Sequence, residues 1–329
     1  MTNRRRTAAL ITAGVVALGA LGVGIYFAVA GGNSSAAKPS AHGSSATHAP
    51  EVNPLTGMGS GGHVLAVKID NVGVAQHQQA GLNSADLVYV IQVEGGLSRY
   101  LAIFDSSSAP SKVGPVRSAR QTDIPLLAAY GHVGFAYSGA ISGLLPELAV
   151  ANVQNITPDI AASQFSNDGS SPTYVDPKDI FAAYPNLAQT QNVGFHFAAA
   201  IPSGGKADTS VSVDMPTASF AFTASGTQWL VSVDASAATT LDQGSTSTDN
   251  VIVQHVQVVP GKFTDHNAAQ PANEVFSETT GQGAAEFYRD GRVWHGQWSK
   301  PTDTSPTAYT VDGKPMELTP GRTWIVLDG

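Results

Sequence analysis

Two runs of strand composition, Leu87 to Val93 and Arg99 to Asp105, flank Gly95-Gly96. A double glycine between such runs predicts a tight hairpin, because both turn residues can take positive φ. The hairpin commits the chain to a sheet and decides which side chains share a face. If the two glycines are the whole loop, Glu94 pairs with Leu97 and Gln92 with Arg99, which puts Gln92, Glu94 and Arg99 on one face. Downstream, Pro115-Val116-Arg117-Ser118-Ala119-Arg120 carries two more guanidiniums into a turn ahead of a helix start at Thr122 or Asp123. With only 17 Lys plus Arg in the chain, this stretch concentrates positive charge.

The rest of the chain reads as strands and turns. It has 34 Gly, 19 Pro and 13% charged residues, a composition that disfavours long charged helices. Val64 to Asp70 is a strand, Ile124 to Tyr130 a short helix, and His132 to Ser138 a further strand. Leu144 to Val150 and Asp159 to Gln164 are short helices. Asp176-Pro177 starts another, since Asp caps and Pro fits the first turn; it is expected to run to Ala188 or Gln189. Ile201 to Lys206 interrupts the pattern. Ser203 and Lys206 match S-x-x-K by chance, because Gly204-Gly205 builds no helix to bring Lys under Ser. Beyond lie strand candidates from Phe220 to Leu327, with hairpin turns at Asp290-Gly291 and Asp312-Gly313.

The expected fold class is α+β. A mixed α/β domain spans 53–200, a linker 201–210, and a mostly antiparallel β domain 211–329, as a sandwich or partly open barrel. With 329 residues, 42% of them hydrophobic, the chain can supply both cores.

The N-terminus begins Arg4-Arg5-Arg6 and continues uncharged from Ala8 to Ala30, long enough for the ~20 apolar residues a bilayer core requires. Residues 1–30 therefore read as a single transmembrane helix, a retained anchor or uncleaved signal, although Ala28-Val29-Ala30 also fits a cleavage pattern. The positive-inside rule keeps the arginines cytoplasmic and places the rest outside, anchored to the plasma membrane or secreted if cleaved. Residues 31–52 form a Gly/Ser/Ala/Pro tether. His42 and His48 within it lack partner ligands, so no metal is expected.

The formal charge is −8, and residues 1–53 carry +3, leaving −11 for the remainder. An acidic body opposes nucleic-acid binding. The absence of Cys removes disulfides, thiolate catalysis and lipid attachment at an N-terminal cysteine. No phosphate loop, zinc helix or calcium loop is present, and no cofactor is expected.

Several long stretches carry a family resemblance. They are Asn53-Pro54-Leu55-Thr56-Gly57, Ala66-Val67-Lys68-Ile69-Asp70-Asn71, Ala80-Gly81-Leu82, Ala85-Asp86-Leu87-Val88-Tyr89 and Val93-Glu94-Gly95-Gly96 with Arg99. Lys112 to Arg120, Asn250 to Gln254, Trp298-Ser299-Lys300 and Pro320 to Ile325 continue it in order. From Asn53 to its end the chain resembles the YerB-like extracytoplasmic proteins, a two-part domain of unknown function. The resemblance implies an envelope protein, commonly a lipoprotein, with an α/β domain followed by a β domain and no transferable activity. The chain departs from the pattern in lacking a lipidation cysteine, in Val90 where an acid is usual, and at Pro172-Thr173-Tyr174-Val175 in place of a Pro-His-Asn-rich segment.

Asp70, Asn71, Glu94, Arg99, Arg117, Ser118 and Arg120 form the candidate site, on strand ends and connections where a scaffold presents binding groups. Arginine forks suit carboxylate or phosphate. The expected function is a non-catalytic module binding an anionic cell-envelope ligand or an envelope protein. The alternative is a cell-wall glycan hydrolase or lyase with Glu94 as general acid and Asp70, Asp86, Asp105 or Asp123 as its partner. In a third reading the arginines only close ion pairs, Arg99 with Glu94, and Arg117 or Arg120 with Asp123 or Asp70. Trp294 and Trp298 share a strand face, as core or as a stacking platform.

Overall fold

The computed structural model describes residues 52–166, 173–265 and 272–329. The expected anchor and the tether up to residue 51 lie outside them, and no helix among the described residues is long and apolar enough to cross a membrane.

Five strands of the first half form the middle and one flank of a sheet: β1 (Val64–Asp70), β2 (Leu87–Gln92), β3 (Ser98–Asp105), β4 (Val133–Ala136) and β5 (Val153–Ile156). β2 and β3 make the antiparallel hairpin, β1 pairs antiparallel with β3, and β4 and β5 follow in parallel. On the other side of β2 the last strand, Thr323–Asp328, pairs in parallel, and Asn250–His255 pairs in parallel beyond it. Gly281–Arg289, Arg292–Lys300 and Ala308–Val311 then extend the sheet antiparallel. Both halves of the chain thus share one open 12-stranded sheet.

The reason lies in Thr323–Asp328, TWIVLD, buried at all but its last position. A strand apolar on both faces is stable in the centre of a sheet with both faces covered. One face packs Val67, Ile69, Val88 and Tyr100 against Phe220, Phe222 and Trp229 of a second sheet, built from Ser210–Met215, Ala218–Ser225 and Gln228–Val233. The other packs Ala66, Tyr89, Leu101 and Ile103 under Leu126, Leu127 and Tyr130. The C-terminal strands therefore do not close on themselves into a barrel. They are divided between an extension of the first sheet and a cover over it, and the sheets stay open.

Among the described residues α-helices are few and short: α1 (Asp123–Leu127), α2 (Leu145–Val150) and α3 (Pro177–Ala183). Asp176 caps α3, its carboxylate accepting the Lys178 N–H at 2.8 Å. α3 stops well before Gln189, because Tyr184 precedes Pro185, which disfavours helical geometry at the residue before it. Asp290-Gly291 (φ 50° and 66°) and Asp312-Gly313 (φ 50° and 74°) make the expected two-residue turns with positive φ at both positions.

Candidate functional site

The central hairpin differs from expectation by one residue. Gln92 pairs with Ser98 and Ile91 with Arg99, leaving Glu94-Gly95-Gly96 as a three-residue turn closed by Val93 N–H donating to Leu97 O at 2.8 Å. Two glycines alone do not complete the loop, and Pro216-Thr217 of the second sheet packs onto it. A Cβ on Gly96 would lie 2.5 Å from Pro216, and Thr217 donates to the carbonyls of Gly95 and Gly96 at 2.9 and 3.1 Å. Gln92, Glu94 and Arg99 therefore do not share a face.

Arg99 instead lies opposite Asp70 across β1 and β3, with its Nη1 3.2 Å from Asp70 Oδ1. Arg117 approaches the other oxygen, Nε to Oδ2 at 3.2 Å. Its backbone is held between the Lys68 carbonyl and the Ser138 amide, which sets this loop alongside β1. Arg120 closes on Glu94, Nε to Oε2 at 2.8 Å, and its Nη1 donates to the carbonyls of Ser118 and Ala119. Asp70 and Glu94 thus take different arginines, and Glu94 does not pair with Arg99.

Beneath them Lys68 and Asp123 form a fully buried ion pair at 2.6 Å. Asp123 also accepts the Arg120 N–H at 2.7 Å, so the first residue of α1 clamps the arginine loop. Asn71 is buried and spends its amide internally, donating to Ser98 Oγ at 2.8 Å and accepting from Gln79 at 3.0 Å. Asp70, Arg99, Arg117, Arg120 and Glu94 are brought together, Ser118 serves through its carbonyl, and Asn71 supports from below.

Asp86 and Asp105 lie at the opposite end of β2 and β3, joined there by Asn53, whose Nδ2 donates to Asp105 at 2.7 Å and to Asp86 at 3.5 Å. They are not partners for Glu94. Burial and the neighbouring Asp105 push the Asp86 carboxyl well up. Trp294 and Trp298 are both core residues, their ring N–H groups donating to Ser203 O and His255 O, and offer no stacking platform.

Crowding shows in the electrostatics. Burial draws the Arg99 guanidinium down to about 10, with Arg120 and Arg117 adding to the effect and Asp70 opposing it. Burial likewise lowers the Lys68 ammonium against the pull of Asp123. One further carboxyl reaches the cluster from far along the chain. Glu274 is wholly buried, its Oε1 accepting the Gln121 N–H at 2.7 Å while Oε2 has no hydrogen-bond partner. Burial pushes it up to about 7; Glu94 and Asp123 add to the rise, and the Gln121 N–H and Arg120 resist it. No local pattern marked Glu274 in the sequence, whereas Lys68, an ammonium inside the apolar run VLAVKID, was a visible signal.

Against known proteins, residues 55–195 match the N-terminal domain of the protein of unknown function DUF3048, and residues 209–325 match its C-terminal domain. The chain belongs to the DUF3048 family. Over 100 residues, 29% of each chain, it is 37% identical to YerB of Bacillus subtilis (strain 168), a protein named as a lipoprotein. The crystal structure of Bacillus subtilis YerB has the same fold, with a TM-score of 0.69 over 84% of this chain and 96% of that one, at 22% identity. The two DUF3048 segments meet along β2 and Thr323–Asp328, and the arginine cluster draws Asp70, Glu94, Arg99, Arg117 and Arg120 from the first and Glu274 from the second.

Proposed function

We propose that this DUF3048 protein is an extracytoplasmic envelope module that recognises an anionic group at the arginine cluster, through the exposed Arg117 with Arg120 and Arg99 supplying positive charge behind it, without catalysis. The observation that carries the reading is a surplus of fixed positive charge. Lys68, Arg99, Arg117 and Arg120 face the carboxylates of Asp70, Glu94 and Asp123, and the Arg117 side chain is 53% exposed. A cationic cluster with one guanidinium at the surface, on an otherwise acidic body, is suited to a carboxylate or phosphate ligand. The envelope location is supported by the basic, then apolar, N-terminal sequence and by the relative named as a lipoprotein.

Glu94 is poorly placed as a general acid, because its Oε2 is taken up by Arg120 at 2.8 Å in a largely buried ion pair. The other carboxyl nearby, Glu274, has its second oxygen buried and without a hydrogen-bond partner. Both features favour recognition over glycan cleavage.

The test is a pull-down of the full chain on intact cell walls, with mass spectrometry of anything released. Binding without release, weakened in Arg117→Ala, is the expected result. Soluble fragments that disappear with Glu94→Gln would overturn it in favour of a glycan-cleaving enzyme.

A further inference from the structure

We infer that the proton on Glu274 sets the anion affinity of the arginine cluster, coupling ligand binding to pH through a side chain from the far half of the chain. The inference rests on the anion-binding reading above.

Glu274 stands on the strand Ala272–Ser277, which pairs with Val258–Asp265. This hairpin is fastened to the two residues that follow Arg120. Glu274 Oε1 accepts the Gln121 N–H at 2.7 Å, Lys262 N–H donates to the Gln121 side chain at 3.0 Å, and Ser277 N–H donates to Thr122 Oγ1 at 3.0 Å. The charged groups facing Glu274 are Arg120, Glu94 and Asp123, all from the first half. Lys262, on its own hairpin, turns away to Glu147 at 2.9 Å.

A buried carboxyl with one oxygen unpaired and two carboxylates nearby holds its proton more firmly than one in water. Burial with Oε2 unpartnered pushes the Glu274 carboxyl up to about 7, so it exchanges its proton near neutrality. With Glu274 protonated, the four cations of the cluster exceed its three carboxylates by one charge. When Glu274 ionises, the excess is cancelled, and its charge adds to that of Glu94 in opposing an anion at the cluster. Anion affinity therefore falls as pH rises through neutrality. By linkage, a bound anion raises the Glu274 pKa by an equivalent amount, so binding near neutrality takes up a proton.

The experiment is calorimetric titration of the full chain with inorganic sulfate, whose own charge is constant over the range, at about pH 6 and about pH 8. Wild type is expected to bind about tenfold more weakly at the higher pH. Glu274→Gln, isosteric and permanently neutral, is expected to bind with the low-pH affinity at both. Wild-type pH dependence retained in Glu274→Gln overturns the coupling alone. No sulfate binding by wild type at either pH overturns the anion-site reading and the coupling with it. Should Glu274→Gln not fold, carbonyl NMR of Glu274 in wild type decides: its titration midpoint rises on adding sulfate if the coupling holds, and a midpoint that does not move refutes it.

Discussion

Asp70 and Arg99 stand directly opposite each other on β1 and β3, carboxylate to guanidinium at 3.2 Å, while Glu94 at the tip of the same hairpin takes Arg120 from another segment. The pairing separates the arginines by task. Arg99, buried, ties two strands together; Arg120 ties the turn to the loop before α1; Arg117 is left half in solvent.

Arg117→Ala is expected to change stability by no more than about 1 kcal/mol, since exposed pairs contribute little. Anion binding is expected to weaken at least about tenfold, as for the loss of a charge-assisted contact. Urea unfolding run beside sulfate titration separates the two. A large stability loss with unchanged binding would make Arg117 a structural residue.

Lys68→Met leaves Asp123 as an unpaired buried charge and is expected to cost about 3–5 kcal/mol. The double replacement Lys68→Met with Asp123→Leu should recover part of that loss, because no lone charge remains. Denaturant midpoints of the two variants and wild type provide the check, with the Arg120 amide, which Asp123 also holds, losing its acceptor in the double variant.

Stability should fall as pH rises from about 5 to about 8 through Glu274. The folded-state pKa, about 7, lies above the usual value of 4.5, so the folded chain holds a proton there that the unfolded chain has released. Glu274 thus contributes most below 4.5, and that contribution is lost progressively up to and through its folded pKa. Thermal unfolding of Glu274→Gln should lack this slope, whereas a slope equal to wild type would assign the effect to another group.

Lys300 works in the opposite direction. Its ammonium is buried against the Pro125 carbonyl, and burial lowers it to about 8 from 10.5, with Asp303 resisting. Between about 8 and 10.5 the unfolded chain holds the proton that the folded chain has released, so stability should rise with pH across this window. Lys300→Met is predicted to remove that rise, read as unfolding temperature against pH.

Removing residues 323–329 should unfold both halves, because Thr323–Asp328 lies between β2 and Asn250–His255. Circular dichroism and amide exchange on residues 53–200 alone would show the same dependence. A cooperative, protected fold for that fragment would mean that the shared strand is dispensable to the first half.

Much of this was legible in the residues themselves. Asp-Gly dipeptides set their turns, Asp176-Pro177 set a helix start, and VLAVKID and LVYVIQ read as strands, because turn geometry, capping and side-chain alternation are local properties. The concentration of arginine between Arg99 and Arg120 was also visible. Partner choice was not. A single extra residue in the turn at Glu94 shifted the β2–β3 register and took Arg99 off the face of Glu94, while the separate β1–β3 register set it opposite Asp70. Glu274 comes beside the arginine loop because its hairpin docks on Gln121 and Thr122, and the last strand joins the first half because its two apolar faces need covering. The sequence by itself determined the elements and where positive charge gathers; the tertiary structure decided which carboxyl answers each cation, since that depends on register and docking between segments far apart in the chain.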